Sequence, residues 1–188
     1  MVAPSNPIYR YLVDDADLIS EVDQWWLAFA RENGTTALDA DRVVGRPIWD
    51  FIAGEPTRAL YRELHEYVRQ SGIPVTVPFR CDSPTLQRYM QLTIRPLESG
   101  HLQYESELLR VKPQRRIEAI DSSRKRSKAV LTMCSCCKRS LLEPAGWLDL
   151  EDISLRLRLF DQQSVPNLRY TICPQCATRL EQKRSVDQ

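Results

Sequence analysis

Five of the six cysteines in this 188-residue chain lie beyond Met133, and they fall in two C-x-x-C frames: Cys134-Ser135-Cys136-Cys137 and Cys173-Pro174-Gln175-Cys176. A C-x-x-C turn brings two thiolates to one side of a short knuckle, and two knuckles complete a tetrahedral four-sulfur shell for Zn2+. Thiolates select a soft or borderline ion, and four of them leave no position for a catalytic water. The chemistry expected of Cys134, Cys137, Cys173 and Cys176 is therefore structural zinc. Pairs separated by about 15–20 residues are the commoner pattern; here thirty-five residues intervene, which implies a larger insert. The other reading, buried thiols or a disulfide, leaves a small tail with little to hold it. Cys136 leaves open which two of Cys134, Cys136 and Cys137 bind. It is a spectator or, in a redox reading, the thiol that displaces a ligand on oxidation. Lys138 and Ala177 follow the two pairs where a c-type haem needs histidine, so covalent haem is excluded by pattern.

Outside the tail, residues able to do chemistry are sparse. Cys81 shares a strand face with Ile73, Val75, Val77 and Phe79, and a small buried thiol is its better reading. His65 sits at the flank of a helix stripe and His101 opens a strand, positions that are usually surface. Trp25, Trp26 and Trp49 have the spacing of core aromatics rather than of a ligand-stacking box. Trp49, His65 and Cys81 remain as pocket candidates. There is no Gly-rich phosphate loop, no nucleophile elbow and no kinase signature. No enzymatic activity is expected, and with so few residues after the second knuckle no kinase, cyclase or receiver unit is expected either.

The composition, 43% hydrophobic and 27% charged, is that of a soluble globular protein, and the formal charge of +1 argues against a polycation that coats nucleic acid. No run approaches the ~20 apolar residues that span a bilayer, so no membrane contact is expected. The start shows neither the basic nor the apolar region of a signal peptide, so the expected setting is a reducing cytoplasm. Charge marks a join: over 111–128, seven basic residues (Lys112, Arg115, Arg116, Arg124, Lys125, Arg126, Lys128) face only Glu118 and Asp121. With Pro113 at its start, this stretch reads as a solvated linker carrying a helical turn or two near 116–120. The expected division is a front over 1–111, a basic linker over 112–130 and a four-cysteine zinc-binding module over 131–188.

The front must position whatever it holds with strands and helices in mixed order. Residues 8–13 and 18–22 suit a hairpin around Asp14-Asp15-Ala16. Val22, Trp25, Trp26 and Phe29 mark one face of a helix capped by Asp23 and stopped by Asn33-Gly34. A short helix from Pro47 to Gly54 follows, then a longer one over 56–70 with Leu60, Leu64, Tyr67 and Val68 on one face, closed by Gly72 and Pro74. Three strands come next: 73–81, one through Met90, Leu92 and Ile94, and one through Leu102, Tyr104 and Leu108. Pro74 and Pro78 share a parity, so both missing N–H groups lie on one lateral side, and this strand belongs at a sheet edge. In the tail, a helix is expected to start at Asp149; over 154–160, Leu155, Leu157 and Leu159 alternate as in a strand while Ile153, Leu157 and Phe160 keep helical spacing, and helix is the favoured reading.

That order is an α+β plan with helices on one face of a single antiparallel sheet. On these residues the front resembles a bacterial PAS sensor domain: Ile19-Ser20-Glu21-Val22, Trp25, Phe29-Ala30-Arg31-Glu32-Asn33-Gly34, Val43-Val44-Gly45-Arg46, Ile48-Trp49-Asp50-Phe51-Ile52 and Pro78-Phe79-Arg80-Cys81-Asp82-Ser83-Pro84. The resemblance implies five strands in the order 2-1-5-4-3, which puts the proline-marked third strand at an edge. The tail is similar to a short cysteine module found after PAS or receiver domains in bacterial signalling proteins, on Met133-Cys134, Cys137-Lys138-Arg139, Gly146-Trp147 and Tyr170-x-Ile172-Cys173-Pro174-x-Cys176. Together they imply a cytoplasmic sensor or adaptor with an unidentified small-molecule PAS ligand, a protein partner docked by the zinc module, and homodimerisation through a sheet edge or face. A nucleic-acid-binding regulator using the basic linker and ribbon-like tail is the alternative, and a thiol redox sensor a third. In every version, metal loss is expected to unfold the tail while the front keeps its own core.

Overall fold

A computed structural model of the chain describes residues 6–32 and 39–185. The front is a five-stranded antiparallel sheet in the order β2-β1-β5-β4-β3, built from β1 (Ile8–Val13), β2 (Ile19–Val22), β3 (Val75–Arg80), β4 (Leu86–Pro96) and β5 (Leu102–Pro113). This is the order that the PAS resemblance implies. The β1–β2 turn forms because the Asp14 carboxylate accepts the N–H groups of Ala16 and Leu18 at 3.0 and 2.8 Å. Helix α1 (Gln24–Glu32) starts where the Asp23 carboxylate accepts the N–H of Trp26 at 2.6 Å. Its face is only partly as expected: Trp26 packs edge-on to Tyr11, but Trp25 is 61% exposed. The expected stop at Asn33-Gly34 lies outside the described residues.

A short helix α2 (Ala40–Val43) leads to a single 3-10 turn, Ile48–Asp50, instead of the helix expected to run from Pro47 to Gly54. The reason lies at Gly54, which adopts φ 86°, a conformation no helix continues through, and so serves as the N-cap of the next helix, α3 (Glu55–Ser71). A side chain there would also strike the second lobe, since a Cβ would come within 2.9 Å of the Tyr170 carbonyl carbon and closer to its oxygen. Gly72, at φ 72°, ends α3 and donates its N–H to Val68 O. Leu64 and Val68 are fully buried on the sheet, and so is His65 at 1% exposure, against the expectation of a surface position. Tyr61 packs against the same core as the tail cysteines. Helix α3 is thus covered on two sides rather than one, and its buried stripe is wider than the Leu60–Val68 spacing alone suggests.

Among the described strands, β3 lies at an edge and pairs only with β4. Its outward side is not bare: Arg80, which shares Pro78's parity, donates its N–H to Cys136 O at 2.7 Å. The edge that proline keeps free of strands is thereby closed by a loop of the tail.

The tail adds a four-stranded sheet ordered β8-β7-β6-β9, from β6 (Arg126–Cys134), β7 (Ser140–Leu142), β8 (Gly146–Leu148) and β9 (Val165–Thr171), with helices α4 (Leu150–Arg156) and α5 (Pro174–Ser185). The helix expected from Asp149 stops at Arg156; Arg158 turns left-handed at φ 51°, and a 3-10 turn, Leu159–Asp161, follows. Strands β6 and β9 run parallel, Met133 beside Tyr170 and Cys134 beside Thr171. Parallel neighbours need a crossover of a dozen or more residues, which is why the two cysteine pairs are so far apart in sequence.

The stretch expected to be a solvated linker is packed. Lys112 and Pro113 still belong to β5, and Ile117 and Ala119 are buried with Leu131, Met133, Leu150, Ile153 and Leu159 in the tail's own core. Its charges are largely internal: Arg116 pairs with Asp121 and Glu118, Arg124 with Glu118, and Arg126 donates to the carbonyls of Ala119, Asp121 and Pro166. Counting charges along the chain could not show that the two acids of this stretch, Glu118 and Asp121, would each face arginines. No described helix is long and apolar enough to cross a membrane.

Candidate metal centre

Cys134 ends β6, and the chain turns at once. Cys134 N–H donates to Arg139 O at 2.7 Å, Lys138 N–H donates to Cys134 O at 3.0 Å, and Ser135 N–H reaches Thr171 O at 2.8 Å. Lys138 takes φ 63°, the left-handed residue that lets the knuckle close. The second pair sits at the start of α5, with Pro174 in the first turn and the N–H groups of Cys176 and Ala177 both donating to Cys173 O at 3.0 Å. Parallel pairing places the two knuckles side by side, and Cys173 N–H donates to Cys134 Sγ at 3.4 Å.

The structure brings together the sulfurs of Cys134, Cys137, Cys173 and Cys176, all within 4.8 Å of one another. Cys137 Sγ and Cys173 Sγ are 3.7 Å apart. A Zn–S bond of about 2.3 Å at tetrahedral angles sets sulfurs about 3.8 Å apart, so the donor set fits such an ion. Hydrogen bonds from Cys136, Cys137 and Cys176 hold the Cys134 thiol far below its ordinary range, and the hydrogen bonds they make to Cys134 push Cys137 and Cys176 up. The dipole of α5 also favours thiolate at its N-terminus. Cys136 is outside the set of four; its hydrogen bond to Cys134 pushes its thiol up to about 12. Its side chain is buried beside Tyr61 of α3, inside the core of the front.

The knuckle is joined to the front at several points. Ser135 Oγ and Thr57 Oγ1, in the first turn of α3, are 2.7 Å apart. Arg80 pairs with Asp82 at 2.5 Å and reaches Glu151 of α4 at 3.5 Å, and Gln87 of β4 hydrogen-bonds the same Glu151.

The three pocket candidates do not converge. Trp49 lies 5.1 Å from the His65 ring, while Cys81 stands just past the end of β3, its N–H on Arg88 O. Burial pushes the Cys81 thiol up, in keeping with an inert thiol. His65 Nδ1 is 2.7 Å from Asp17 Oδ1, and its Nε2 meets the Tyr104 hydroxyl. A carboxylate only accepts, so Nδ1–H donates to Asp17 and Nε2 accepts from Tyr104. Arg69 bridges Asp17, Asp14 O and Gly100 O, each at 2.8 Å. These residues form a partly buried polar network at the join of α3 and the sheet. Asp17 and Arg69 were missed from the sequence; their only signals are an Asp in a turn and an Arg one helical turn after His65.

The sequence matches no protein-family model and no curated protein. Among solved structures it is similar to a sensory box sensor histidine kinase from Vibrio cholerae, at 13% identity and a TM-score of 0.42, over 56% of this chain and 84% of that chain. The strand order and the helices packed on the sheet define the front as PAS-like, and a four-cysteine cluster that could hold a metal ion stands beside it.

Proposed function

We propose that the chain is a non-enzymatic, cytoplasmic signalling sensor or adaptor: the PAS-like front perceives a small ligand or partner, and the tail, held by structural Zn2+ on Cys134, Cys137, Cys173 and Cys176, docks a protein. Residues 1–111 sense, 131–188 dock, and 112–130 form a packed joint. One observation carries this reading. The cysteine knuckle rests on the edge strand β3 and the first turn of α3, through Arg80 N–H to Cys136 O and Ser135 to Thr57. A ligand or partner that shifts α3 or the β3 edge therefore biases the packing of the tail, which is a population shift between two arrangements. Elemental analysis of the untagged chain tests the metal: about one zinc per chain is expected, and none overturns the reading. A nucleotide turnover screen tests the rest, since robust catalysis would replace the adaptor with an enzyme.

A further inference from the structure

Strand β1 ends at Ile8, opposite Glu107, and the last bond on that side of β5 runs from Leu108 N–H to Pro7 O. Strand β5 continues to Pro113 with β4 as its one described neighbour. Gln114 N–H donates to Thr85 O on the β4 side, so by alternation the N–H groups of Arg110 and Lys112 face β4. The register between the two strands shifts at Leu109, which has no partner on β4, and beyond this bulge the N–H of Val111 faces the side that no described strand occupies. All of 109–113 is exposed, with Leu109 at 47% and Val111 at 45%. Two residues on, Arg115 and Arg116 rim a groove of about 270 Å³ floored by Ile117, Leu155 and Phe160; Leu155 and Phe160 are half exposed.

We propose that this open half of β5 and the adjoining groove dock an acidic, extended protein segment, which adds as a strand beside Leu109 and Val111 and seats an apolar side chain on Leu155 and Phe160. The inference rests on the docking reading above and extends the contact from the tail residues Leu155 and Phe160 onto 109–117 of the front and joint, away from the sulfurs. Charge chooses the occupant. Among the described residues, Arg110, Lys112 and Arg115 take part in no ion pair, whereas the acids of the groove, Glu118 and Glu151, are already engaged by Arg116, Arg124, Arg80 and Gln87. A second copy, paired antiparallel about a two-fold axis on this edge, would bring Arg110 and Lys112 against their own counterparts, and like charges facing across strands destabilise the pair. Nucleic acid phosphates would meet the cations but leave four exposed apolar side chains and the edge N–H of Val111 unused. Pro113 ends the ladder for any added strand, while Lys112 and its neighbouring arginines disfavour uncharged or basic strands, and a strand alternating acidic with apolar residues is the class they admit.

The test uses the full chain after one zinc per chain has been verified, so that an empty sulfur cluster and an empty edge are told apart. The probe is a short fluorescent peptide alternating Glu with Val and ending in Phe; a Lys-for-Glu peptide and a single-stranded oligonucleotide serve as comparisons. Saturable binding of the acidic peptide is expected. It should weaken at least about tenfold in Lys112→Glu/Arg115→Glu. It should weaken comparably in Val111→Pro, which deletes an outward N–H without touching the β4 ladder, and in Phe160→Ser. No saturable binding overturns the proposal. So does oligonucleotide binding that is as tight and is unaffected by Val111→Pro, or a homodimer that Val111→Pro converts to monomer. A folded variant, judged by an unchanged melting transition, is required before each loss is read.

Discussion

The two sheets hold together by different means. The front builds its core from large side chains brought in by alternation and helical spacing: Ile19, Ile48, Leu64, Ile94, Leu102 and Tyr104 are all at or below 2% exposure. The tail has one small apolar cluster on a single side of β6 and β9, where Leu131 and Met133 meet Ile117, Ala119, Leu150, Ile153 and Leu159. Units that small rarely stand on a core alone and need staples. The candidate staple, the four-cysteine cluster, is not placed in the tail's own apolar cluster. Cys134, Cys136, Cys173 and Cys176 pack into the cluster that contains Val13, Leu64, Val77 and Tyr104. The sulfurs therefore lie in the seam, and the smaller unit is stabilised by what it shares with the larger one.

The largest test of that contrast is Cys173→Ser. A structural Zn2+ contributes on the order of 10 kcal/mol to folding, so zinc should be lost and the tail should lose its cooperative transition. A tail with independent staples would leave the front untouched. The shared seam instead implies that amide exchange also quickens at Arg80, whose N–H is held by Cys136 O, and in the first turn of α3 beside Thr57. Unchanged protection at both places would break the comparison. Next in size is Gly54→Ala, which combines a left-handed backbone at φ 86° with a Cβ driven into the Tyr170 carbonyl. A loss of about 3 kcal/mol in urea-midpoint stability is expected. A change below about 0.5 kcal/mol would show that the loop moves away from β9 freely.

Much of the front was legible because its elements obey local rules. The turn aspartates, the Asp23 cap, the Gly72 stop and the shared parity of Pro74 and Pro78 each follow from backbone chemistry within a few residues. The four sulfurs were legible as types and spacing. What could not be read is long-range. Cys136 turns into the front because the second sheet leans on α3, His65 is buried by the front's own Asp17, Tyr104 and Trp49, and 112–130 packs because Ile117 and Ala119 enter the tail's core. Gly54 reads as a helix stop in sequence and becomes a helix start because the chain must reverse against Tyr170. Trp25 shows the opposite error, a large apolar residue at a core spacing that no described element covers.

A smaller effect separates the two regions by pH. Burial lowers the pKa of His65 below its ordinary 6.5, against the opposing pull of Asp17. The folded chain therefore binds fewer protons than the unfolded one, and stability present above about pH 6.5 falls as acid is added. The melting temperature of the front should decline between pH 7 and pH 5.5, and less so in His65→Asn. An equal slope in both proteins would remove His65 from the account.

The smallest effect concerns the outer part of the seam. Glu151 on α4 takes Gln87 and Arg80 from the front while 28% exposed, so solvent screens much of the pair. Glu151→Gln keeps the shape and removes the charge, and should cost about 1 kcal/mol. Because Arg80 keeps Asp82 at 2.5 Å and its N–H bond to Cys136 O, zinc content and the protection of Arg80 should not change. If zinc is lost in Glu151→Gln, the lobes are held by their charged rim rather than by the core in which the sulfurs sit. The contrast between a self-sufficient front and a stapled tail would then have to be drawn at α4 instead of at the knuckle.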